Sequence, residues 1–422
     1  MFTHRICFAL MAGACIMLAE PRRVEAQTSS DTLRLGDAIA LALRESPEVR
    51  ASRLLAEVQR EGVAPAGALP EPMLDLGLMN RPFDFSTGNA MAMNQIQLSQ
   101  TLPWSGKRAA SAAREEKLLA AAELDATEVS AAVVERLRTL YFRMAWIDRA
   151  IDVMAETKAL LADLQATAAT LYSVGAGAQQ DILQAQVAQA RMAVDIRVME
   201  EERTAAQARF NALVGRRPNA PVPALDLPGP DPEVPSLEVL MGLAEARPAL
   251  RAARARIDAA GDARDLAGKA HLPDVSLTLG YSQRPHFEDL LSVMVGVPLP
   301  LWRASVQDPL RRQAEAVEAA AQARELQLYN ETYAQLAEHR SAALRAADVS
   351  ELLRTDVLPQ ARAAVESGLS AYRVGALDFM AVLESRMTVN QYEIERLRLA
   401  AEYQSARAGI DALTGVIPGG DR

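Results

Sequence analysis

The sequence contains two similar halves in tandem, and this duplication limits the folds that the chain can adopt. The matched positions at the C-terminal ends of the halves are Tyr172, Val174, Gly175, Ala176, Ile182, Leu183, Ala212, Leu213 and Gly215, which recur 200 positions later as Tyr372, Val374, Gly375, Ala376, Val382, Leu383, Ala412, Leu413 and Gly415. Nearer the N terminus, Leu69-Pro70 matches Leu272-Pro273. Chance would not maintain this order, so the pattern predicts a tandem repeat.

The duplication divides the chain into five segments. Residues 27–215 form the first repeat and residues 236–415 the second. Residues 216–235 contain seven of the 22 prolines, which predicts an extended linker, because so dense a run of prolines excludes both helix and central strand. Residues 1–26 are predicted to be a signal peptide, and residues 416–422 a C-terminal tail.

The N-terminal segment has the features of a secretory signal. An arginine precedes the apolar stretch 6–19, and Val24-Glu25-Ala26 offers small residues where signal peptidase cuts. We therefore expect the mature chain to begin near Gln27. The alternative is lipidation of Cys15, but the apolar stretch continues past that cysteine.

The sequence lacks the residues that several classes of function require. The only cysteines, Cys7 and Cys15, lie in the signal segment, so no disulfide, thiolate metal site or cysteine nucleophile is expected in the mature chain. The net charge of −9 argues against nucleic acid as a partner. His271, His286 and His339 are scattered, and there is no glycine-rich phosphate loop. The sequence therefore predicts no enzyme, no cofactor and no metal centre.

Long helices are predicted from an apolar fraction of 50% that is carried by alanine, with only 5% aromatic residues. Each repeat is expected to open with one helix, from about Leu35 to Ala64 and from about Ser236 to Ala270. Longer helices are expected at 107–171, 181–213, 308–371 and 378–413. Pro359 predicts a kink or a break near Val357 in the third of them.

Four segments alternate apolar and small polar residues, which is typical of strands. They are residues 74–79, 95–99, 275–282 and 291–299. Each is close to the length of about nine to eleven residues that crosses a bilayer when tilted. Four strands cannot close a barrel, so barrel walls would require several subunits. The alternative is a soluble hairpin with one face on a core.

The duplicated order of helix, strand pair and long helical hairpin resembles that of the TolC-type outer-membrane efflux factor family. The resemblance rests on Leu102-Pro103-Trp104-Ser105-Gly106-Lys107, on Val357-Leu358-Pro359-Gln360-Ala361 and on two Tyr-x-Val-Gly-Ala turns. It implies a mainly α fold with a transmembrane β-barrel portion, in which a trimer forms a 12-stranded barrel and an α-helical periplasmic tunnel. It further implies a passive exit duct in outer-membrane lipid, without catalysis, whose partners are a periplasmic adaptor protein and an inner-membrane transporter.

The resemblance also assigns two sets of site residues. The adaptor-docking tips correspond to Val174, Gly175, Ala176, Val374, Gly375 and Ala376, and the periplasmic entrance constriction to Asp181, Gln184, Asp378 and Glu384. The alternative for the tip glycines is that they only end helices, since glycine supplies positive φ there. Gln184 and Ala381 stand where the family often has acids. Asp378 either compensates for them or caps a helix.

The sequence does not determine the substrate or the class of pump that the protein serves. The Pro-Trp-x-Gly-Lys strand exit is similar to the heavy-metal-efflux branch, and Met73, Met79, Met91 and Met93 surround the first strand pair, so a metal ion is one expected substrate and a drug or other small molecule the other. Methionines in such places are more often lipid-facing or loop residues. The alternative function is a periplasmic helical-hairpin adaptor or scaffold, although adaptors usually carry one hairpin and this chain has two.

Overall fold

The computed structural model describes residues 34–83, 85, 89–231 and 233–416. The predicted signal peptide, its cleavage site and the tail beyond Val416 lie outside the described residues. The first half of the chain forms α1 Leu35–Glu45, α2 Pro47–Gly67, β1 Met73–Met79, β2 Met93–Leu102, α3 Lys107–Ser173 and α4 Gln179–Leu213. The second half forms α5 Leu237–Ala244, α6 Pro248–Gly268, β3 Val275–Gln283, β4 Leu290–Gly296, α7 Gln307–Leu352, α8 Leu358–Arg373 and α9 Phe379–Leu413. The chain is thus mainly helical, as predicted.

The opening helix of each half differs from the prediction, because each is two helices rather than one. The breaks precede Pro47 and Pro248, where Ser46 and Arg247 adopt extended ψ angles of 123° and 128°. A proline ring clashes with helical backbone at the preceding residue, whereas proline itself suits the first position of a helix. The resulting α2 and α6 have the same length, 21 residues.

The long helices follow the prediction closely. Helix α3 runs for 67 residues without a break, which corresponds to about 100 Å. Between α7 and α8 lies a π-helical turn, Leu353–Val357, directly before Pro359. Proline has no backbone N–H and cannot donate the usual hydrogen bond of an α-helix. The wider π-helical turn allows the helix to pass this position without that bond. The irregularity therefore lies where the kink was predicted, but the helix continues through it.

The four strands form one antiparallel sheet in the order β1-β2-β3-β4. Opposite residues include Leu76 with Ile96, Leu98 with Leu279, and Leu279 with Val293. One face of the sheet is therefore apolar throughout its centre, and its side chains are exposed in the subunit: Leu74, Leu76, Leu78, Ile96, Leu98, Leu277, Leu279, Tyr281, Leu291, Val293 and Val295. The predicted alternation of the strands is confirmed.

The opposite face of the sheet carries small and polar side chains. The hydroxyls of Ser99 and Thr278 are hydrogen-bonded across β2 and β3 at 3.0 Å. Gly280 lies beside Ser292, and a Cβ at Gly280 would be only 2.5 Å from the Ser292 hydroxyl. Met73, Met79 and Met93 also belong to this face by their alternation, so three of the four methionines singled out in the sequence are on the polar face and only Met91 is in the loop.

The helices meet the sheet at a polar junction. The ammonium of Lys107, the first residue of α3, donates to the Asp274 carboxylate at 2.8 Å and to the Leu272 carbonyl at 2.7 Å. The backbone N–H of Trp104 donates to the same Asp274 oxygen at 2.8 Å. The exit from β2 is thus bonded to the entry into β3, which fixes the sheet relative to the long helices.

The largest core cluster lies among α1, α3, α4 and the proline-rich segment 216–235, around the fully buried Phe210. Val222 and Leu225 of that segment are buried, and the Asn211 amide donates to the Ala220 carbonyl at 2.8 Å. The described residues of this segment form no helix or strand, and the segment is anchored to the helices rather than free. No helix in the described part of the chain combines the length and apolarity that crossing a membrane requires.

Candidate functional site

The two Tyr-x-Val-Gly-Ala segments are tight turns at one end of the long helices. Gly175 has φ +77° and Gly375 has φ +72°. The Gly175 N–H donates to the Tyr172 carbonyl at 3.0 Å, and the Ala176 N–H donates to the Leu171 carbonyl at 2.9 Å. The second turn has the same pair of bonds, 200 positions later. This pairing is the Schellman motif, so the positive φ expected of both glycines is observed.

The structure brings the two turns together. A cleft of 570 Å³ is lined by Gly175, Ala176, Gly375 and Ala376 from both turns. A Cβ on either glycine would meet open space, so glycine is required there by its φ angle and not by crowding. Val174 is 70% exposed and Val374 79% exposed. The described subunit therefore presents two uncovered valines beside the cleft.

The same cleft contains a hydrogen bond between the two helical hairpins. Tyr372, in the last turn of α8, donates its hydroxyl to the Asp181 carboxylate, in the first turn of α4, at 3.0 Å. Its ring is 5% exposed and makes an edge contact with Phe379, with 5.6 Å between centroids. Burial and then the bond to Asp181 raise the pKa of the Tyr372 phenol, so it remains a hydrogen-bond donor at physiological pH.

Asp378, Gln184 and Glu384 are the other three residues that were predicted to form the entrance constriction. Asp378 occupies the N-cap position of α9, but its side chain makes no capping hydrogen bond, so the capping alternative is not observed. It lines the cleft together with Asp181. Gln184 and Glu384 line a second, larger groove of 1030 Å³ between α4 and α9.

That groove is apolar with charged margins. Met192 and Met387 lie in its wall, Asp195 and Glu395 add carboxylates to that of Glu384, and Arg191 contributes one guanidinium. Taken together with the cleft, this end of the hairpins is rich in carboxylates. Among the described residues, no group of three or more His, Cys, Asp or Glu side chains is arranged to hold a metal ion.

Sequence reasoning missed two contacts that hold the hairpins together. One is the Tyr372 to Asp181 bond, and the other is a buried bond of 2.9 Å from the Thr157 hydroxyl to the Asn390 amide oxygen. The repeat made Tyr172 and Tyr372 look equivalent, yet Tyr172 is 48% exposed. A signal was present for the second contact, because a threonine and an asparagine interrupt otherwise apolar helix stripes.

A profile of one known protein family matches most of the chain. The profile described as "Outer membrane efflux protein" matches residues 38–216 and 240–416. The chain belongs to the outer membrane efflux protein family. Its location is therefore the outer membrane, with a large helical periplasmic part, and its family is one of transport proteins rather than enzymes. The family resemblance predicted from the sequence is confirmed.

Solved outer-membrane channels share the fold. The outer-membrane channel OprN is 20% identical with a TM-score of 0.76, covering 90% of this chain and 89% of that chain. VceC from Vibrio cholerae is 18% identical with a TM-score of 0.77, covering 90% and 96%. MtrE from Neisseria gonorrhoeae, solved in an open state, is 15% identical with a TM-score of 0.74, covering 90% and 89%.

A curated relative aligns over a shorter length. Protein CyaE of Bordetella pertussis is 29% identical over 266 residues, which cover 60% of this chain and 55% of that protein. The chain therefore spans about half the length of this relative. None of these matches favours the alternative of a periplasmic adaptor or scaffold.

The hydrogen bond between Tyr372 and Asp181 can be removed from this outer membrane efflux protein by a single substitution. We expect Tyr372→Phe to retain the ring contact with Phe379 but to remove a bond between the hairpins that is worth about 1 kcal/mol. In planar bilayers, the purified variant should open more often or conduct more than the unchanged protein. Tyr172→Phe, at the exposed counterpart, is the matched control and should behave as the unchanged protein. Identical conductance for both variants would show that the Tyr372 to Asp181 bond does not restrain the hairpins in the channel.

Proposed function

We propose that three copies of this chain form the passive exit duct of a tripartite efflux pump. Each copy contributes four strands to a 12-stranded outer-membrane barrel and two helical hairpins to a periplasmic tunnel. The observation that carries the proposal is the sheet, which has an exposed apolar face, a polar opposite face and two free edges in the subunit. A soluble sheet would bury such a face on a core.

The face and the edges point to the same environment. An exposed face of leucines and valines is stable against lipid tails but not against water. In lipid, however, the N–H and C=O groups along the outer edges of β1 and β4 would have no water to bond. Pairing of β4 with β1 of another copy satisfies those groups, and a closed ring removes every edge. Three copies of four strands give a barrel wide enough for an aqueous channel.

The helical body provides the length of a duct. At about 100 Å, α3 is several times longer than an ordinary globular helix. We assign residues 27–215 and 236–415 to two efflux-factor repeats, joined by the anchored segment 216–235. Each repeat then supplies one strand pair and one helical hairpin, so that the three subunits alternate the two kinds of hairpin around the tunnel.

The tips are proposed to be the site where a periplasmic adaptor protein docks. The support is that the six tip residues lie together at one end of the hairpins and that Val174 and Val374 are exposed. An exposed apolar pair on a rigid turn is suited to a partner's apolar contact. The adaptor in turn would connect the duct to an inner-membrane transporter.

The entrance is proposed to lie directly above these tips. Asp181 and Asp378 in the cleft, and Gln184 and Glu384 in the groove, are the residues that would constrict it. Carboxylates at this position would favour cations over anions in the tunnel mouth. A heavy-metal ion and a drug or other small molecule both stay predictions for the substrate.

The proposed membrane face is tested by placing charge on adjacent residues of β4. Val293 lies on the apolar face and is 62% exposed, whereas Met294 lies on the polar face and is 49% exposed. We expect Val293→Arg to lose assembly in the outer membrane, because a charge at the bilayer midplane costs about 2–4 kcal/mol for each subunit. Met294→Arg should assemble, because it faces the aqueous lumen.

Both variants are measured by outer-membrane fractionation and by heat-resistant trimer on gels. The two substitutions differ by one position in the same strand, so a general loss of strand propensity would affect both equally. Equal assembly of the two variants, or loss of Met294→Arg alone, would contradict the assignment of the apolar face to lipid.

The docking proposal is tested by the double variant Val174→Asp and Val374→Asp. Both side chains are exposed, so the subunit should fold and form trimers as before. We expect site-specific cross-linking to the adaptor and resistance to pump substrates to fall, because two carboxylates replace an apolar contact. Val239→Asp on α5, 54% exposed and outside the tips, is the control and should leave both measurements unchanged. Normal cross-linking in the double variant would leave the turns as helix ends only.

A further inference from the structure

The methionines of the four strands all lie on the polar face of the sheet. They are Met73, Met79, Met93 and Met294. The apolar face contains leucine, isoleucine, valine and tyrosine but no methionine. Leu290, at the first position of β4, is the other large apolar residue on the polar face. Methionines that served only as apolar contacts for lipid would lie on the opposite face, so these four need another explanation.

Met79 and Met93 are the pair best placed to act together. They lie directly opposite each other in β1 and β2, so their Cα atoms are about 4.5–5.5 Å apart. A Cβ at Gly77 would be 4.0 Å from the Met79 sulfur and 4.0 Å from the Gln95 amide oxygen. The Met79 thioether therefore lies beside Gly77 on the polar face. Because a methionine side chain has three rotatable bonds, both sulfurs can approach one ion.

The charges around this pair favour a cation. The four described strands contain no lysine, arginine or histidine, and Asp75 is their one charged residue. Asp75 lies opposite Gln97, on the same face as the methionines. Arg81, in the loop after β1, donates to the side chain of Asn94, which lies on the other face. The polar face thus presents a carboxylate and thioethers to the proposed lumen.

The chemistry of these groups selects one class of cation. Thioether sulfur is a soft ligand that suits copper(I) and, by the same softness, silver(I), whereas hard ions such as Mg²⁺ prefer oxygen. Organic cations are recognised over aromatic rings. The one aromatic residue of the described strands, Tyr281, lies on the apolar face. A soft metal ion therefore fits the polar face better than an organic cation does.

Thioethers also occur beside carboxylates at the other end of the hairpins. Met380 and Met387 of α9 line the groove between α4 and α9 together with Glu384. They are seven residues apart, which places them on the same side of the helix two turns from each other. Met192, in the opposite wall, is 2% exposed and belongs to the core. The proposed entrance and the proposed lumen thus share one pairing of side-chain types.

We propose that Met79 and Met93 form a thioether site for a soft monovalent metal ion, copper(I) or silver(I), on the lumen face of the barrel. Asp75 attracts the cation to this face. Two thioethers without a thiolate hold such an ion weakly enough for it to leave, as passage through a duct requires. The inference rests on the proposed duct and assigns a class of substrate to it.

Protection of methionine from oxidation tests the site directly. Peroxide converts a thioether to a sulfoxide, and a sulfur bound to silver is shielded from that reaction. The purified full-length trimer is treated with peroxide in chloride-free buffer, with silver nitrate or with magnesium nitrate, and each methionine is measured by peptide mass spectrometry. Only preparations without free thiol are used, so that Cys7 and Cys15 do not take the ion. We expect silver to protect Met79 and Met93, and magnesium to protect neither.

The matched control is Met91, which is 60% exposed in the loop between β1 and β2. Silver should leave its oxidation unchanged. In calorimetry, the double variant Met79→Leu and Met93→Leu should bind fewer silver ions for each subunit, while Met91→Leu binds as many as the unchanged protein. Leucine has nearly the volume of methionine, so the strands should remain folded.

Equal protection of Met91, no protection of Met79 and Met93, or unchanged silver binding by the double variant would overturn the site. Failure of the proposed duct would show separately, as absence of heat-resistant trimer from the unchanged protein. A failed metal site would leave that trimer intact.

Discussion

The free edges of β1 and β4 are the constraint on which the rest of this structure depends. A sheet with an exposed apolar face belongs in lipid, and lipid provides no partner for unpaired backbone N–H and C=O groups. In the proposed duct the subunit is therefore incomplete by itself, and further copies supply the groups that complete it. The polar face of the same sheet carries Ser99, Thr278 and Ser292, and in the proposed barrel it forms the wall of the aqueous lumen.

The internal repeat also determines the arrangement at the other end of the molecule, because each half of the chain contributes one helical hairpin. Lys107 and Asp274 join the sheet to the helices, and α3 extends without a break to the turn at Gly175. There the two hairpins meet through the bond from Tyr372 to Asp181. Each repeat thus contributes one tip, but the tips differ in their contacts.

The sequence predicted what depends on local pattern. The strands followed from alternation, and the positive φ of Gly175 followed from its place between two helices. The breaks before Pro47 and Pro248 were missed, although proline's effect on its neighbour is local, because the helix periodicity continued across them. The anchoring of segment 216–235 and the burial of Tyr372 depend on tertiary packing, which a single sequence does not display.

The central claim is that three copies close one barrel, and electron cryomicroscopy of the mature protein in lipid nanodiscs tests it most directly. The account predicts a three-fold ring in which β4 of each subunit lies beside β1 of the next, with the apolar face turned to lipid and the hairpins extending as a tube on one side of the membrane. A monomer in the disc, a ring of another symmetry, or a sheet whose apolar face packs on protein would contradict it.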